Sequence, residues 1–217
     1  MADLFTPVAD KFDTNPIVEN LGKGVFHIKR MAPSEAITQL TCEIIKQAPL
    51  RQMMTPMGHL TKASMTNCGD YGWISDLAGY RYSTHDPISQ KVWPTLPQEF
   101  LTLHHKACQL VGLNPFKPDA CLINCYEVGQ SMGRHQDKDE QSLEWPIVSI
   151  SLGLSAVFQI FDNQGNSPSL ELLLEDGDVL ILSGESRLFY HGVKPIKIDR
   201  LNPNLLKRFN LTLRKSH

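Results

Sequence analysis

Apolar residues recur with a helical period in two segments of the first half of the chain. In "PSEAITQLTCEIIKQAP", residues 33–49, apolar positions repeat every three or four residues until Pro49. The segment "PQEFLTLHHKACQLVG", residues 97–112, shows the same spacing and stops at Gly112. A period of about 3.6 residues predicts an amphipathic helix, whose apolar face needs a partner surface. We therefore predict two helices that cover a sheet.

The second half of the chain shows the shorter period of β-strands. From Ala120 onward, short apolar runs alternate with turn sequences such as "DNQGNSP", "EDGD" and "SGES". They predict the strands "ACLINCY", "RHQDK", "IVSISLGL", "AVFQIF", "LELLL", "DVLILS", "RLFYHG" and "FNLTLR". Many short strands with frequent turns are typical of an antiparallel sandwich or barrel. The predicted fold class is mainly β (α+β), with a jelly-roll core over residues 120–214 and flanking N-terminal helices.

A long stretch between the two helices, residues 51–96, is rich in Met, Gly, Pro, Asn and aromatic residues. Pieces such as "RQMMTPMGHLTKASMTNCGDYGW" and "AGYRYSTHDPISQKVWP" alternate strand-like patterns with turns. A connection of this length inside a compact domain is usually functional. We expect it to do more than join the two helices.

Composition and charge narrow the class of protein. The 217 residues have a net charge of −2 and are 41% hydrophobic, which favours one globular domain over residues 1–217. No apolar run is long enough for a membrane-spanning helix, and "MADLFTPVADKFDTN" lacks the apolar core of a secretory signal. The near-neutral charge excludes a protein that coats DNA through general basicity, so any nucleic-acid contact must come from a local patch.

The cysteines give a further indication of the compartment. There are five of them, with no CxxC pair, which argues against a zinc module and a disulfide framework. We expect reduced thiols in a cytoplasmic protein, and nothing in the sequence suggests more than a monomer. They are Cys42, Cys68, Cys108, Cys121 and Cys125.

Polar residues in "GRHQDKDE" raise the question of a metal site. His135, Asp137 and Asp139 alternate along the chain, and alternate residues of a strand point to one face. This pattern alone is weak, because a solvated turn of mixed charges also produces it. His191, in "ESRLFYHGVKP", adds a second histidine at the end of an apolar strand, although a half-buried structural histidine would fit there too. Two histidines and one carboxylate form the triad of non-haem Fe(II) oxygenases, which leaves positions open for co-substrate and oxygen.

The last predicted strand, "RFNLTLR", separates polar from apolar residues by face. Two sets alternate along it: Arg208, Asn210, Thr212 and Arg214 against Phe209, Leu211 and Leu213. The polar side faces either solvent, as on an exposed edge, or the interior of a barrel. Two interior guanidiniums are costly without anionic partners, and a small dicarboxylate would supply two. Asn124 and Tyr126, in "ACLINCYEVG", would face such a ligand unless the backbone satisfies their polar atoms.

Taken in order, these pieces resemble the AlkB family of Fe(II)/2-oxoglutarate-dependent dealkylating dioxygenases. The matching segments are "NCYEVG", "HQDKDE", "IVSISLGL", "GESRLFYHG" and "RFNLTLR", with "RQMMTP", "MTNCGDYGW" and "PDACLIN" upstream. The resemblance runs from residue 3 to residue 214 and covers nearly the whole chain. It implies a double-stranded β-helix, which is a jelly roll, with residues 51–96 as a nucleotide-recognition lid.

The resemblance also implies roles for individual residues. Fe(II) would be bound, and catalysis carried, by His135, Asp137 and His191. The co-substrate 2-oxoglutarate would be held by Asn124, Tyr126, Arg208, Asn210 and Arg214, with its two carboxylates on the two arginines. The methylated base would be bound by Thr55, Met65, Trp73, Tyr80, Arg81, Tyr82 and Asp139. Among these, the tryptophan would stack on a cationic base and the aspartate would meet its exocyclic amine.

The implied reaction is oxidative demethylation of N-alkylated bases such as 1-methyladenine and 3-methylcytosine. It consumes O2, decarboxylates 2-oxoglutarate to succinate and CO2, and releases the methyl group as formaldehyde. The expected partners are alkylated single- or double-stranded DNA, with RNA also accepted. A base in a duplex must first be flipped out of the stack, at a cost of about a few kcal/mol. The biological outcome would be direct-reversal DNA repair.

The chain departs from the family pattern near the expected lesion site. Gly165, in "FDNQGNSPS", stands where the family carries a basic residue, and this segment contains no Lys or Arg. His59 stands where a tyrosine is usual. We therefore predict a weaker grip on the lesion strand with unchanged chemistry. The basic residues left near the site, some of them no more than surface charge, are Arg51, Lys62, Arg81, Arg134, Lys138 and Arg187.

Two alternatives use the same residues for other functions. An Fe(II)/2-oxoglutarate hydroxylase that acts on a protein or small molecule would share the metal and co-substrate sites, so only the lid distinguishes it. The second alternative is a non-enzymatic jelly-roll binding module with a degenerate site. The complete set of triad and arginine residues argues against this module.

Overall fold

The computed structural model of the protein describes residues 15–162 and 167–217. Gly165, which the sequence associates with weaker substrate binding, therefore lies outside the described residues. The two predicted helices are present as α1 (Ser34–Gln47) and α2 (Gln98–Leu110). Over the described ranges, neither helix combines the length and apolar content that crossing a membrane requires.

The strands account for most of the remaining regular structure. In the N-terminal half they are β1 (Ile17–Asn20), β2 (Val25–Lys29), β3 (Ser64–Gly69), β4 (Gly72–Asp76) and β5 (Gly79–Ser83). In the C-terminal half they are β6 (Ala120–Glu127), β7 (Met132–His135), β8 (Ile147–Gly153), β9 (Ala156–Phe161), β10 (Leu170–Leu174), β11 (Val179–Leu182), β12 (Tyr190–Val193) and β13 (Lys207–Arg214).

Two antiparallel sheets form the core of the fold. The larger has the strand order β1-β2-β11-β8-β13-β6-β3, and the smaller has the order β10-β9-β12-β7. A separate two-stranded sheet pairs β4 with β5. This mainly β architecture, with its two helices on the larger sheet, confirms the predicted jelly-roll class.

The helices bury their apolar faces against the larger sheet. Phe100 and Leu103 of α2 pack in one cluster with Ile37 of α1 and with Leu211 and Leu213 of β13. Burying each such side chain contributes about 1.5–3 kcal/mol. Because the apolar side of β13 faces the helices, its polar side must face the smaller sheet. The interior alternative for "RFNLTLR" is therefore correct.

A glycine permits the close approach that positions β13. Gly153, at the end of β8, has φ +79°, a backbone conformation that residues with a Cβ rarely adopt. A Cβ there would lie 2.4 Å from the Lys207 carbonyl oxygen. The register then places Arg208 opposite Gly153, which brings this arginine into the interior of the fold.

Several strand boundaries differ from the predictions. Strand β7 ends at His135, so "RHQDK" is only partly a strand and Asp137 lies in the loop that follows. In "RLFYHG" the strand begins at Tyr190, after a 3-10 helix over Gly184–Leu188. The prediction that His135 and Asp137 share one face of a strand is therefore wrong. A loop carries Asp137 to the site.

The structure also adds strands that the sequence did not single out. Strands β1 and β2 extend the larger sheet through pairing of β2 with β11. Within residues 51–96, β3 belongs to the larger sheet through its pairing with β6. The β4–β5 hairpin is the part of this stretch that stands apart from the main sheets.

Candidate active site

Two histidines face each other across neighbouring strands. His135 of β7 and His191 of β12 are directly paired in register, with ring centroids 4.3 Å apart. The Nδ1 of His135 lies 2.9 Å from the Gly133 carbonyl oxygen, and that of His191 lies 3.1 Å from the Phe189 carbonyl oxygen. A carbonyl can only accept, so each Nδ1 carries the proton and each Nε2 keeps its lone pair for a metal.

A carboxylate completes this group of ligands. Asp137 lies 3.8 Å from His135 Nε2 and 3.6 Å from His191 Nε2, measured from its two oxygens. One ligand atom from each of the three residues lies within 4.8 Å of the others. Arg214 Nη2 donates to Asp137 Oδ2 at 2.7 Å, and Arg187 donates to the Asp137 backbone oxygen at 2.6 Å. Two buried arginines therefore fix the loop that carries the aspartate.

The protonation states suit a metal. Burial, together with the nearby His135, lowers the pKa of His191 to about 4, so its imidazole is neutral near pH 7. Burial alone would raise the pKa of Asp137, but Arg214 and His191 hold it below its usual range. Two neutral imidazoles and one carboxylate are the donor set that non-haem Fe(II) sites use. The residues present fit this metal.

A cavity of about 350 Å³ opens beside the three ligands. Most of the residues predicted for co-substrate and substrate line it: Thr55, Met65, Trp73, Tyr80, Asn124, Tyr126, Asp139, Asn210 and Arg214. The wall thus combines strands of both main sheets with the β4–β5 hairpin. It offers polar groups near the metal ligands and aromatic groups near the hairpin.

Arg208, also predicted to hold the co-substrate, is a buried cation that is not among the residues lining this cavity. Its side chain is 1% exposed, and it donates to the Leu154 carbonyl oxygen at 3.1 Å and the Ser151 hydroxyl at 2.8 Å. Its Nε has no hydrogen-bond partner, and burial lowers the pKa of the guanidinium to about 10. The group therefore remains charged near pH 7 while both of these partners are neutral. An anionic ligand such as a carboxylate of 2-oxoglutarate fits this environment.

Arg214 was expected to pair with a carboxylate of the co-substrate, but it already has carboxylate partners within the protein. Besides Asp137, it contacts Glu140 Oε1 at 3.2 Å, so the protein itself supplies two carboxylates. Its Nε nevertheless has no partner, and neither has the buried Asn124 Oδ1. These orphaned atoms lie along the strands that wall the cavity. Of the two, the Arg214 Nε–H is the donor from which a carboxylate of a bound co-substrate would accept a hydrogen bond.

Glu140 and Arg187 form a buried network that the sequence did not identify. Arg187 Nη2 contacts Glu140 Oε2 at 2.9 Å, and both side chains are at most 3% exposed. Tyr82 donates to the other oxygen of Glu140 at 2.8 Å. In the sequence, Arg187 was only one of several nearby basic residues, and Glu140 was the last acid of a charged string. No local signal separates such residues from surface charge.

Replacing Glu140 with glutamine should destabilise the fold. The change removes the buried carboxylate that pairs with Arg187 and one of the two that pair with Arg214, which costs roughly 3 kcal/mol in the free energy of unfolding. Urea unfolding measures this effect. The matched control is Glu171→Gln, which removes an exposed pair with Lys194 and should change little. Equal effects of the two substitutions would show that the buried network does not stabilise the fold.

The predicted base-binding residues fall into two groups. Trp73 Nε1 donates to Asp139 Oδ2 at 2.8 Å, and the Tyr80 ring stacks on Trp73 with centroids 5.4 Å apart. Arg81 and Tyr82 are not among the residues that line the cavity. Arg81 pairs with Asp76 on the exposed hairpin, and the Tyr82 hydroxyl is directed to Glu140. The hairpin thus places one tyrosine at the cavity and the other behind it.

Known proteins share this arrangement of sequence and fold. A family model described as the 2OG-Fe(II) oxygenase superfamily matches residues 24–214. The alpha-ketoglutarate-dependent dioxygenase AlkB of Escherichia coli K12 is 44% identical over 218 residues, covering 100% of this chain and 98% of that protein. The chain belongs to the AlkB family.

More distant relatives and a solved structure agree with this membership. The DNA N(6)-methyladenine demethylase ALKBH1C of Arabidopsis thaliana is 35% identical over 161 residues, covering 62% of this chain and 35% of that protein. The structure of OsALKBH1 aligns with a TM-score of 0.79 and 28% identity over 92% of this chain and 100% of that one. The resemblance found in the sequence is confirmed. The chain is an AlkB-family dioxygenase that requires Fe(II), 2-oxoglutarate and O2.

Proposed function

We propose that this AlkB-family enzyme removes methyl groups from ring nitrogens of nucleobases in DNA, and also in RNA. The reaction would directly reverse alkylation damage, with 1-methyladenine and 3-methylcytosine as substrates. The observation that carries the proposal is the Trp73–Asp139 pair on the wall of the cavity that holds the metal ligands. The Arabidopsis relative, a DNA N(6)-methyladenine demethylase, supports a methylated nucleobase as the substrate class, although N6 is an exocyclic nitrogen.

The chemistry of the lesion explains why this pair favours a methylated base. Methylation at these ring nitrogens makes the base cationic near pH 7. The face of an indole attracts a cation, and a base of any type can stack on it. The hydrogen bond to Asp139 fixes the indole plane of Trp73 and places a carboxylate at its edge. A planar cation is thus matched both by stacking and by charge.

The triad would bind the iron, and the arginines with their neighbours would bind the co-substrate. We propose His135, Asp137 and His191 as the iron ligands, and Asn124, Tyr126, Arg208, Asn210 and Arg214 as the residues that hold 2-oxoglutarate. When bound, iron, O2 and 2-oxoglutarate supply the oxidising power that turns the N-methyl group into formaldehyde, with succinate and CO2 as co-products. The protein's own part is orientation, since the carbonyl-bound histidines and the Arg214-bound Asp137 keep their directions before ligands arrive.

The organisation of the chain fits one catalytic unit. We propose a single domain over residues 1–217, with the catalytic core at 120–214 and a substrate-recognition lid within 51–96. Thr55, Met65, Trp73 and Tyr80 of that stretch line the cavity, which supports the assignment of the lid. We further propose a monomer in the cytoplasm. The five cysteines, all free thiols, are consistent with a reducing compartment.

Formaldehyde release tests the proposed function directly. The protein is loaded anaerobically with Fe(II) and 2-oxoglutarate, and O2 is then added with an oligonucleotide that contains 1-methyladenine. Formaldehyde and unmodified adenine should form in equal amounts, and chelation of the iron should stop both. Parallel reactions with methylated RNA and with lysine-methylated peptides test the other substrate classes. Turnover of the peptide alone would overturn the proposal in favour of a protein hydroxylase.

Asp139→Asn should reduce selectivity for cationic bases. The substitution removes a negative charge at the edge of Trp73 while it keeps a similar shape. We expect kcat/KM for a 1-methyladenine oligonucleotide to fall about tenfold more than for one with 3-methylthymine, which is neutral. The ratio of the two substrates cancels any general loss of Trp73 orientation. An unchanged ratio would mean that the carboxylate serves only to hold the indole.

A further inference from the structure

The residues that follow β13 are bound to the protein at several points. They lie beyond the part of the chain that the family model matches, and we call them the 215–217 tail. Asp119, directly before β6, holds this tail. One of its carboxylate oxygens accepts hydrogen bonds from the Ser216 backbone N–H at 2.6 Å and from the Ser216 hydroxyl at 2.8 Å. The other accepts from the His217 N–H at 3.1 Å and from Lys215 at 3.0 Å.

On one side, the 215–217 tail is joined to the segment that carries Trp73. The His217 ring stacks on the Tyr71 ring, with centroids 3.8 Å apart and 9° between the planes. The Asp119 carbonyl oxygen accepts a hydrogen bond from the Tyr71 N–H at 3.1 Å, so the residue that holds the tail also holds its stacking partner. Tyr71 stands two positions before Trp73 in the chain.

On the other side, the 215–217 tail is joined to the loop that carries Asp139. The Ser216 carbonyl oxygen accepts a hydrogen bond from the Gln141 N–H at 3.0 Å. Gln141 stands two positions after Asp139, in the irregular segment between β7 and β8. The same short tail therefore contacts both of the segments whose side chains form the Trp73–Asp139 hydrogen bond.

Other contacts hold these two segments to different degrees. The Trp73 backbone is fixed to β3, because the Asn67 side chain accepts from its N–H at 3.0 Å and donates to its carbonyl oxygen at 2.9 Å. The preceding Gly72 packs so closely against Trp93 that a Cβ there would lie 2.4 Å from the Trp93 ring. Asp139, in contrast, is exposed and lies outside any helix or strand. A connection between the two segments therefore acts mainly on the position of Asp139.

We propose that His217 is a positioning residue for the base site, which sets the approach of Asp139 to Trp73 through the 215–217 tail. This inference rests on the proposed function, in which the Trp73–Asp139 pair recognises the cationic base. A stacked pair of rings has a preferred geometry, so the contact of His217 fixes the tail relative to the hairpin. The buried network around Glu140 already holds the loop through its side chains. We therefore expect the tail to adjust the position of the loop and not to stabilise the whole fold.

His217→Ala tests the inference against the matched control His105→Ala. His105 is an exposed histidine of α2, on the layer that covers the larger sheet. The substrate is a single-stranded oligonucleotide with one 1-methyladenine. For His217→Ala we expect the KM of the oligonucleotide to rise roughly fivefold, as the loss of one stacked ring pair would cause, while the Kd of 2-oxoglutarate stays unchanged. His105→Ala should change neither quantity.

Two further variants separate positioning from a structural role. His217→Phe keeps a ring on Tyr71 and should keep the KM of the unsubstituted enzyme. In a Trp73→Ala background, His217→Ala should raise the KM no further, because the pair that it positions is already broken. A general loss of structure would instead add its full effect to that of Trp73→Ala.

The outcomes distinguish this inference from the proposed function. If the enzyme demethylates the oligonucleotide but His217→Ala behaves like His105→Ala, the positioning role is wrong and the proposed function stands. Additive effects of His217→Ala and Trp73→Ala would also overturn the role, and so would an equal loss in His217→Phe. If the unsubstituted enzyme consumes 2-oxoglutarate but does not demethylate the oligonucleotide, the proposed function fails and this inference fails with it.

Discussion

Substitution of His135 by alanine should lower demethylation by more than about 100-fold, because loss of an outer-shell partner alone costs a metal site 10- to 100-fold. His135 directs its Nε2 toward Asp137, and its Nδ1 is held by the Gly133 carbonyl oxygen. Its side chain is 38% exposed, so its removal should leave the core intact. Formaldehyde release measures turnover, and anaerobic titration with Fe(II) measures the metal affinity.

His85→Ala is the matched control for this experiment. His85 is an exposed histidine in the loop after β5, and its imidazole Nδ1 lies within hydrogen-bond distance of the neighbouring Thr84 hydroxyl. It should bind iron and turn over substrate as the unsubstituted protein does. If His135→Ala bound Fe(II) with unchanged affinity, the proposed triad would be wrong, whatever happened to turnover.

Arg208→Met should separate co-substrate binding from folding. Removing one partner of a buried charge pair costs at least about 2 kcal/mol, so the Kd of 2-oxoglutarate should rise at least roughly 30-fold. In the protein without ligands, the same buried guanidinium bonds only the neutral Leu154 and Ser151 groups named above. Replacing such a cation with an apolar side chain of similar length should therefore change the free energy of unfolding little. Isothermal titration with 2-oxoglutarate and urea unfolding measure the two quantities.

The exposed Arg200 offers the control, since Arg200→Met removes one positive charge from the surface between β12 and β13. This variant should keep both affinity and stability. A large loss of stability in Arg208→Met with unchanged affinity for 2-oxoglutarate would assign the arginine to the fold and not to the ligand.

The sequence predicted the parts of the fold whose signal is local. The period of "PSEAITQLTCEIIKQAP" identified α1 because the helix buries one continuous face, including Ile37 and Ile44. Alternation in "RFNLTLR" separated two faces, but only the helices packed on Leu211 and Leu213 decide which face is interior. The predicted triad residues do converge in space, although Asp137 arrives through a loop.

What the sequence could not predict depends on pairing between distant segments. Strand β2 is defined by its register with β11, some 150 residues further along, and its own pattern is too short to identify it. Glu140 is buried only because Arg187 and Arg214 meet it from other parts of the chain. Tyr82 and Tyr80 occupy the same hairpin strand, and the position of Glu140 decides that only the latter reaches the cavity.

Arg214 links the proposed metal site to the proposed co-substrate site. It pairs with Asp137, the proposed metal ligand, while its Nε has no hydrogen-bond partner. A metal that draws on the charge of Asp137 frees part of this guanidinium for an anion. By thermodynamic reciprocity, an anion on Arg214 must then favour the metal to the same degree. Fe(II) and 2-oxoglutarate should therefore each raise the affinity of the protein for the other.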